Sequence, residues 1–149
     1  GAIPGAKGDY VVIREAKKYI DPGASCVIDA APGTSCPVVE AVKGSDYCLL
    51  VTEPTPFGHN DLVLAVRVTR KMGIPVGIVL NRCGVGDTRV EDYCRAEGLP
   101  ILMRIPFSRQ AAEAYAAGLP VSLAVPGWEH RFSSLARDVL REVRERAGQ

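Results

Sequence analysis

VIDAAPGTSCPVVEAVKGSDYCLLVTEPTPFGHNDL, residues 27–62, holds two short apolar runs that each end in a turn carrying an acid. The first closes on Asp29 and turns at Pro32-Gly33; the second closes on Thr52-Glu53-Pro54-Thr55. Neither run alternates apolar with polar residues. Continuous runs of this length, rich in Val, Ile and Leu, read as strands buried on both faces, the habit of parallel strands in α/β folds. Working outward, the same signature recurs, and four strands are expected over residues 25–30, 47–52, 76–81 and 101–105.

Helices fit between them. One starts near Tyr10, and a short one over 36–42 has Pro37 in its first turn, where the missing N–H costs nothing. Residues 60–72 place Leu62, Ala65, Val66 and Thr69 on one stripe, and Gly73-Ile74-Pro75 stops it. Residues 87–97 and 108–117 each run to a Gly suited to ending a helix, Gly98 and Gly118, and Ser108 is a suitable N-cap. A last helix over 129–146 aligns Phe132, Leu135, Val139 and Val143. Strand–helix alternation with short Gly/Pro connections predicts an α/β domain, a parallel β-sheet flanked by helices. The whole of 1–149 reads as one domain, with 1–9 as a linker.

Composition narrows the function classes. Hydrophobic residues make up 47% and charged residues 23%, as in an ordinary globular protein with one core. A net charge of +1 gives no argument for nucleic acid or an acidic membrane surface, so neither partner is expected. No apolar run approaches the roughly 20 residues that span a bilayer. Cys26, Cys36, Cys48, Cys83 and Cys94 are an odd set with no Cys-x-x-Cys, which fits neither a disulfide framework, a zinc site nor a full iron–sulfur ligand set. Free thiols favour the reducing cytoplasm.

In an open parallel sheet, functional groups gather at the carboxyl ends of the strands. Asp29 followed by Pro32-Gly33 suits a carboxylate that orients a magnesium-bound water beside a nucleotide phosphate, with the Gly33 N–H close to the γ-phosphate; equally, Asp29 suits capping of the 36–42 helix. Asn81 offers a donor and an acceptor that match the N6/N7 edge of adenine, and Arg82 a plane to stack on a base; both also suit an ordinary turn. Pro106-Phe107 forms an apolar wall or merely precedes a helix, and Thr52-Glu53-Pro54-Thr55 reaches a phosphate, meets a second subunit, or is a rigid turn.

Taken together, Asp29-x-x-Pro32-Gly33-Thr34-Ser35-Cys36-Pro37, Thr52-Glu53-Pro54-Thr55-Pro56-Phe57-Gly58, Asn81-Arg82, Ile105-Pro106-Phe107 and GAKGDYVVIREAKKY near the start resemble MinD/ParA-type P-loop ATPases. The resemblance is nearest to the subgroup that carries an inserted ferredoxin domain, and it runs from about Gly5 to about Val121. It implies a partial P-loop NTPase fold of the SIMIBI/MinD type, with ATP and Mg2+ as cofactors. Asp29 would be the switch aspartate acting on magnesium through water, Pro32-Gly33 the γ-phosphate sensor, and Asn81, Arg82, Pro106 and Phe107 the adenine site. It also implies a redox or iron–sulfur protein as partner.

One departure is large. A P-loop reads Gly-x-x-x-x-Gly-Lys-Ser/Thr. The nearest string, Gly1 to Gly8, has Ala6 in place of the second Gly and Gly8 in place of the magnesium-binding hydroxyl. Family members carry the P-loop and the ferredoxin insert with its 4Fe-4S ligands upstream of the matching region, so the resemblance implies the C-terminal portion of such an ATPase. Several charged hydrogen bonds to phosphate are absent, each worth ~1.5–3 kcal/mol. Weak or no ATP binding, and no turnover by this chain alone, are therefore expected. An uncovered sheet edge would favour a homodimer or other self-association. The rival expectation is a non-catalytic scaffold or regulatory module that retains the fold.

Other candidates rank lower. Cys36 sits at a helix start that favours a thiolate, but His59 and His130 offer it no evident base. His59 has no second ligand at metal spacing. The arginines Arg137, Arg141, Arg144 and Arg146 alternate with Glu129, Asp138, Glu142 and Glu145, which suits a helix packed on the sheet better than one lying on a membrane.

Overall fold

A computed structural model of the chain describes residues 9–148. Ten elements follow in order: α1 (Asp9–Lys17), α2 (Cys36–Val42), β1 (Cys48–Thr52), α3 (Pro56–Lys71), β2 (Val76–Cys83), α4 (Arg89–Ala96), β3 (Ile101–Pro106), α5 (Arg109–Ala116), α6 (Val121–Ala124) and α7 (Trp128–Ala147). The strands form one parallel sheet in the order β1-β2-β3, with helices on it, as the alternation of runs predicts. The expected linker at 1–9 lies outside the described residues except for Asp9, which opens α1.

The core sits between the sheet and the α3–α4 layer. Leu62 and Val66 of α3, Ile78 and Leu80 of β2, and Val90 and Cys94 of α4 are all nearly or wholly removed from water. The central strand β2 is covered on both faces: Gly77, Ile78, Val79 and Leu80 are all buried in sequence. That explains why its sequence is continuously apolar. By contrast β1 alternates, with Leu49 and Val51 exposed on one face while Leu50 packs on the core and Thr52 is buried. Its edge away from β2 has no strand partner among the described residues.

The first expected strand, over 25–30, does not form. These residues have no regular secondary structure and make no ladder with any described strand, and Val27 is 94% exposed. A strand is a property of a pair: without a neighbour to take its N–H and C=O groups, an apolar run remains only an unpaired segment. The segment instead passes close to α1 and α2. Those two helices are joined by Lys17, whose ammonium donates to the carbonyl oxygens of Glu40, Ala41 and Lys43 at the carboxyl end of α2. A cation there satisfies carbonyls that the helix leaves free. Arg14 adds an ion pair to Glu40 at 3.0 Å.

One helix boundary differs from expectation, and one helix was not expected at all. The third helix begins at Pro56, four residues before the apolar stripe suggests, because Thr55 caps it: its Oγ1 accepts the Gly58 N–H at 3.0 Å. The short α6 has no sequence periodicity to announce it. The Ser108 cap of α5 is as expected, its Oγ accepting the Ala111 N–H at 3.2 Å. The last helix starts at Trp128, which is buried and stacks obliquely on Phe132 at 5.8 Å. Arg131 lies over Trp128 and donates to the Arg104 carbonyl, tying α7 to β3.

Candidate functional site

Three strand ends meet at one border of the sheet. Parallel pairing brings the carboxyl ends of β1, β2 and β3 side by side, Thr52 opposite Leu80 and Cys83 opposite Pro106. Between Leu80 and Cys83 the register with β3 slips, so Asn81 and Arg82 form an irregularity with no opposed residue on that strand. Bulges of this kind re-aim side chains and are common beside functional sites. Arg82 is also the one non-glycine residue with positive φ among those described, at +52°. That conformation costs an L-residue about 1–2 kcal/mol and persists only when its surroundings hold it.

Two neighbouring side chains hold it. The Arg82 guanidinium lies 5.5 Å from the centroid of the Phe107 ring, and its Nη1 is 3.5 Å from Oε2 of Glu53 at the end of β1. Phe107 is 54% exposed, so its ring is open to a ligand. Asn81 is half-buried and precedes Arg82 in the chain. Thus four of the residues expected at a base site, Asn81, Arg82, Pro106 and Phe107, are brought together.

Glu53 is the member that sequence reasoning left out of the site. Its loop is packed tightly. The Thr52 hydroxyl donates to the Gly58 carbonyl at 3.0 Å, and a Cβ on Gly58 would stand 2.4 Å from the Glu53 carbonyl oxygen. The Asp87 N–H donates to the Pro54 carbonyl at 3.3 Å, and a Cβ on Gly86 would lie 1.9 Å from that oxygen. The Thr-Glu-Pro-Thr-Pro-Phe-Gly run is therefore a structural unit: a buried hydroxyl, a helix cap, a Pro at the first helical turn and a Gly of close approach. Together they fix where Glu53 leaves the sheet. The signal for Glu53 was its place just past a strand; which side chain it would meet depends on the register slip in β2, which no local pattern reveals.

Asp29, Pro32 and Gly33 are elsewhere in the fold's contacts. Asp29 lines a hollow of about 300 Å³ with Ile13, Lys17, Cys26, Val38 and Ala41, and no residue of the β1–β3 strand ends lines it. Asp29, Pro32 and Gly33 are all exposed. Gly33 takes φ +98°, and a Cβ there would meet nothing within 4 Å. The capping alternative for Asp29 is not what the structure shows: α2 is capped by Ser35 in extended geometry, without a side-chain hydrogen bond.

The fit of the implied cofactors is uneven. At the cluster a guanidinium lies over an exposed aromatic ring, with Asn81 adjacent to the arginine in the chain, a surface of the kind that suits a planar base. Magnesium is held through one or two carboxylates together with phosphate oxygens. Among the described residues no group of three His, Cys, Asp or Glu is placed to hold a metal, and Asp29 offers a single exposed carboxylate. These residues by themselves do not fit a phosphate–magnesium site, and none of the described thiols forms a disulfide. Burial raises the Cys48 thiol pKa, and burial followed by the negative charge of Glu91 raises that of Cys94, which keeps both protonated as small apolar side chains. His59 packs edge-on to Tyr93 at 5.4 Å, a packing role. No described helix is long and apolar enough to cross a membrane.

No protein-family model matches the chain. An uncharacterized protein of Methanocaldococcus jannaschii is 36% identical over 110 residues, a match that covers 72% of this chain and 37% of that protein. A second uncharacterized protein of the same organism is 32% identical over 74 residues, covering 50% of this chain and 26% of its own length. The chain thus spans well under half the length of either curated relative. Among solved structures, the cell division ATPase MinD of Pyrococcus furiosus superposes with a TM-score of 0.61 at 26% identity, over 76% of this chain and 50% of that one. A ParA family ATPase from Chlorobium tepidum does so with a TM-score of 0.50 at 21% identity, over 73% and 45%, a likeness of fold. The chain has a MinD/ParA-like α/β fold.

Proposed function

We propose that this chain is the base-binding portion of a nucleotide-dependent ATPase of the MinD/ParA type and that its strand-end cluster holds adenine. The observation that carries the reading is Arg82: a non-glycine residue in left-handed geometry, at a register slip, with its guanidinium over an open aromatic ring. Backbone strain kept at the carboxyl border of a parallel sheet points to a ligand site rather than to packing. In this reading the Asn81 amide pairs with the N6/N7 edge, the Arg82 plane stacks on the base, and Pro106-Phe107 form the apolar wall.

Asp29 and Gly33 are assigned to the phosphate side, with Pro32 shaping the loop; Asp29 would face Mg2+ through water only once residues outside this sequence complete that site. That assignment rests on the Asp-x-x-Pro-Gly resemblance. With no Gly-x-x-x-x-Gly-Lys-Ser/Thr in these 149 residues, the phosphate contacts come from residues outside this sequence, and no hydrolytic step is routed through the chain alone. The Thr-Glu-Pro-Thr-Pro-Phe-Gly run supports a link to iron–sulfur or redox work, with the clusters held outside these residues. A homodimer and a cytoplasmic setting complete the proposal, the latter supported by the unpaired thiols among the described residues.

A second reading has its own observation. The β1 edge away from β2 is unpaired among the described residues and Val51 beside it is 66% exposed, a surface suited to a scaffold or regulatory module. One titration separates the two. With millimolar AMP, the amides of Asn81, Arg82 and Phe107 should shift in nuclear magnetic resonance spectra, and should not with GMP. No adenine-dependent shift at these positions would leave the scaffold reading in possession.

A further inference from the structure

Two exposed, opposite charges at a strained corner call for a reason other than stability. The Glu53 and Arg82 side chains are 38% and 52% exposed. Pairs so open to water contribute little to stability, too little to offset the cost of Arg82's left-handed backbone. Yet both partners are set in place from behind. Glu53 is carried by a loop pinned on one side by Gly58 and, through Pro54, on the other by Gly86 and Asp87. Arg82 is turned out of the sheet by the slip in register, with Phe107 beneath its guanidinium.

We propose that Glu53 is a positioning and specificity residue: it tethers the Arg82 guanidinium over Phe107, so that a purine stacks on the guanidinium's open face, and it balances the Arg82 charge so that the platform takes the base in preference to a phosphate. The inference rests on the adenine reading above and names how that site chooses its ligand. An untethered arginine has a long flexible side chain to order on binding, and that entropy is charged against the ligand. A tethered one has met the cost beforehand. The charge matters too. A lone guanidinium is a ready partner for phosphate oxygens, whereas one already facing a carboxylate is not.

The test needs no phosphate cradle, because adenosine and inorganic phosphate are used as separate probes on the full chain. The Arg82 Nε–H resonance should be displaced by the Phe107 ring current in the free protein. That displacement should vanish in Phe107→Ala and collapse toward the random value in Glu53→Gln. Adenosine should bind Glu53→Gln ~2–5-fold more weakly than the parent chain, the loss of an exposed ion pair. Inorganic phosphate should perturb the Arg82 Nε–H of Glu53→Gln and leave that of the parent chain unmoved. Arg82→Lys keeps the charge but not the plane, and should lose adenosine as well. A parent chain without any adenosine response would remove the base reading and this inference with it. A parent chain that binds adenosine, alongside a Glu53→Gln variant with the same affinity and the same Nε–H position, would remove the positioning role alone.

Discussion

The two loops that follow apolar runs ending in an acid have opposite fates. At residues 53–54 the chain leaves a paired strand, and everything after it is determined: Glu53 meets Arg82, Pro54 meets Asp87, and Thr55 caps a helix. At residues 29–33 the chain leaves a run with no strand partner, and Asp29, Pro32 and Gly33 are all exposed. The sequences look alike. What differs is the neighbour: a strand end places its side chains only to the extent that the strand itself is held by a ladder on at least one side. The strand-end cluster is therefore held by its ladder, and the Asp29 loop has no ladder among the described residues to hold it.

Substitutions can break or sharpen that contrast. The largest effect is expected in the paired region's core: Leu80→Ala, at a side chain with 0% exposure, should cost about 3 kcal/mol of unfolding free energy, whereas Val27→Ala, at 94% exposure, should stay within ~0.5 kcal/mol. Urea denaturation measures both, and an equal cost at Val27 would mean that the 25–30 run is buried in solution.

Next come the loops themselves. Gly86→Ala would drive a Cβ to 1.9 Å from the Pro54 carbonyl oxygen at a φ of +118°, and should cost ~3 kcal/mol. Gly33→Ala meets nothing within 4 Å at φ +98°, so only the backbone preference of about 1–2 kcal/mol opposes it. Paired melting curves should rank them in that order. A reversed order would put the tight packing on the Asp29 side.

The smallest effect concerns pH. The Arg14 hydrogen bond, and then its charge, hold the Glu40 carboxyl below its ordinary range despite some desolvation. A carboxylate with a depressed folded-state pKa contributes stability at pH above its unfolded value, about 4.3. That contribution is lost as the pH falls through the lower folded value. Stability of the α1–α2 unit should therefore decline below about pH 4.3, and less so in Arg14→Gln. Hydrogen exchange in α2 reads this locally. An unchanged pH profile in Arg14→Gln would show that the pair contributes nothing.

Much of this was legible in the residues. Continuous Val/Ile/Leu runs announced β1, β2 and β3, and Ser108 announced the start of α5, because strand composition and N-cap chemistry are written locally, although burial on both faces holds for β2 while β1 keeps one face exposed. The candidate base residues Asn81, Arg82, Pro106 and Phe107 were legible as strand ends, since a parallel sheet gathers its carboxyl termini. The 25–30 run was misread because its composition matches that of a strand, while the pairing that makes a strand involves another segment. The partner of Glu53 and the start of α3 at Pro56 are not written in the apolar stripe, because one depends on the register of β2 and the other on the Thr55 cap.

The sequence by itself determined the class of fold and the runs that become β1, β2 and β3, along with a fourth run that does not pair, for these follow from hydrophobic pattern and chain direction. Only the tertiary structure decided that Arg82 turns out of its strand to face Glu53 over Phe107, and that the run ending at Asp29 stays unpaired. The reason is physical: register, bulges and ladder partners are relations between segments far apart in the chain, and no one segment carries them.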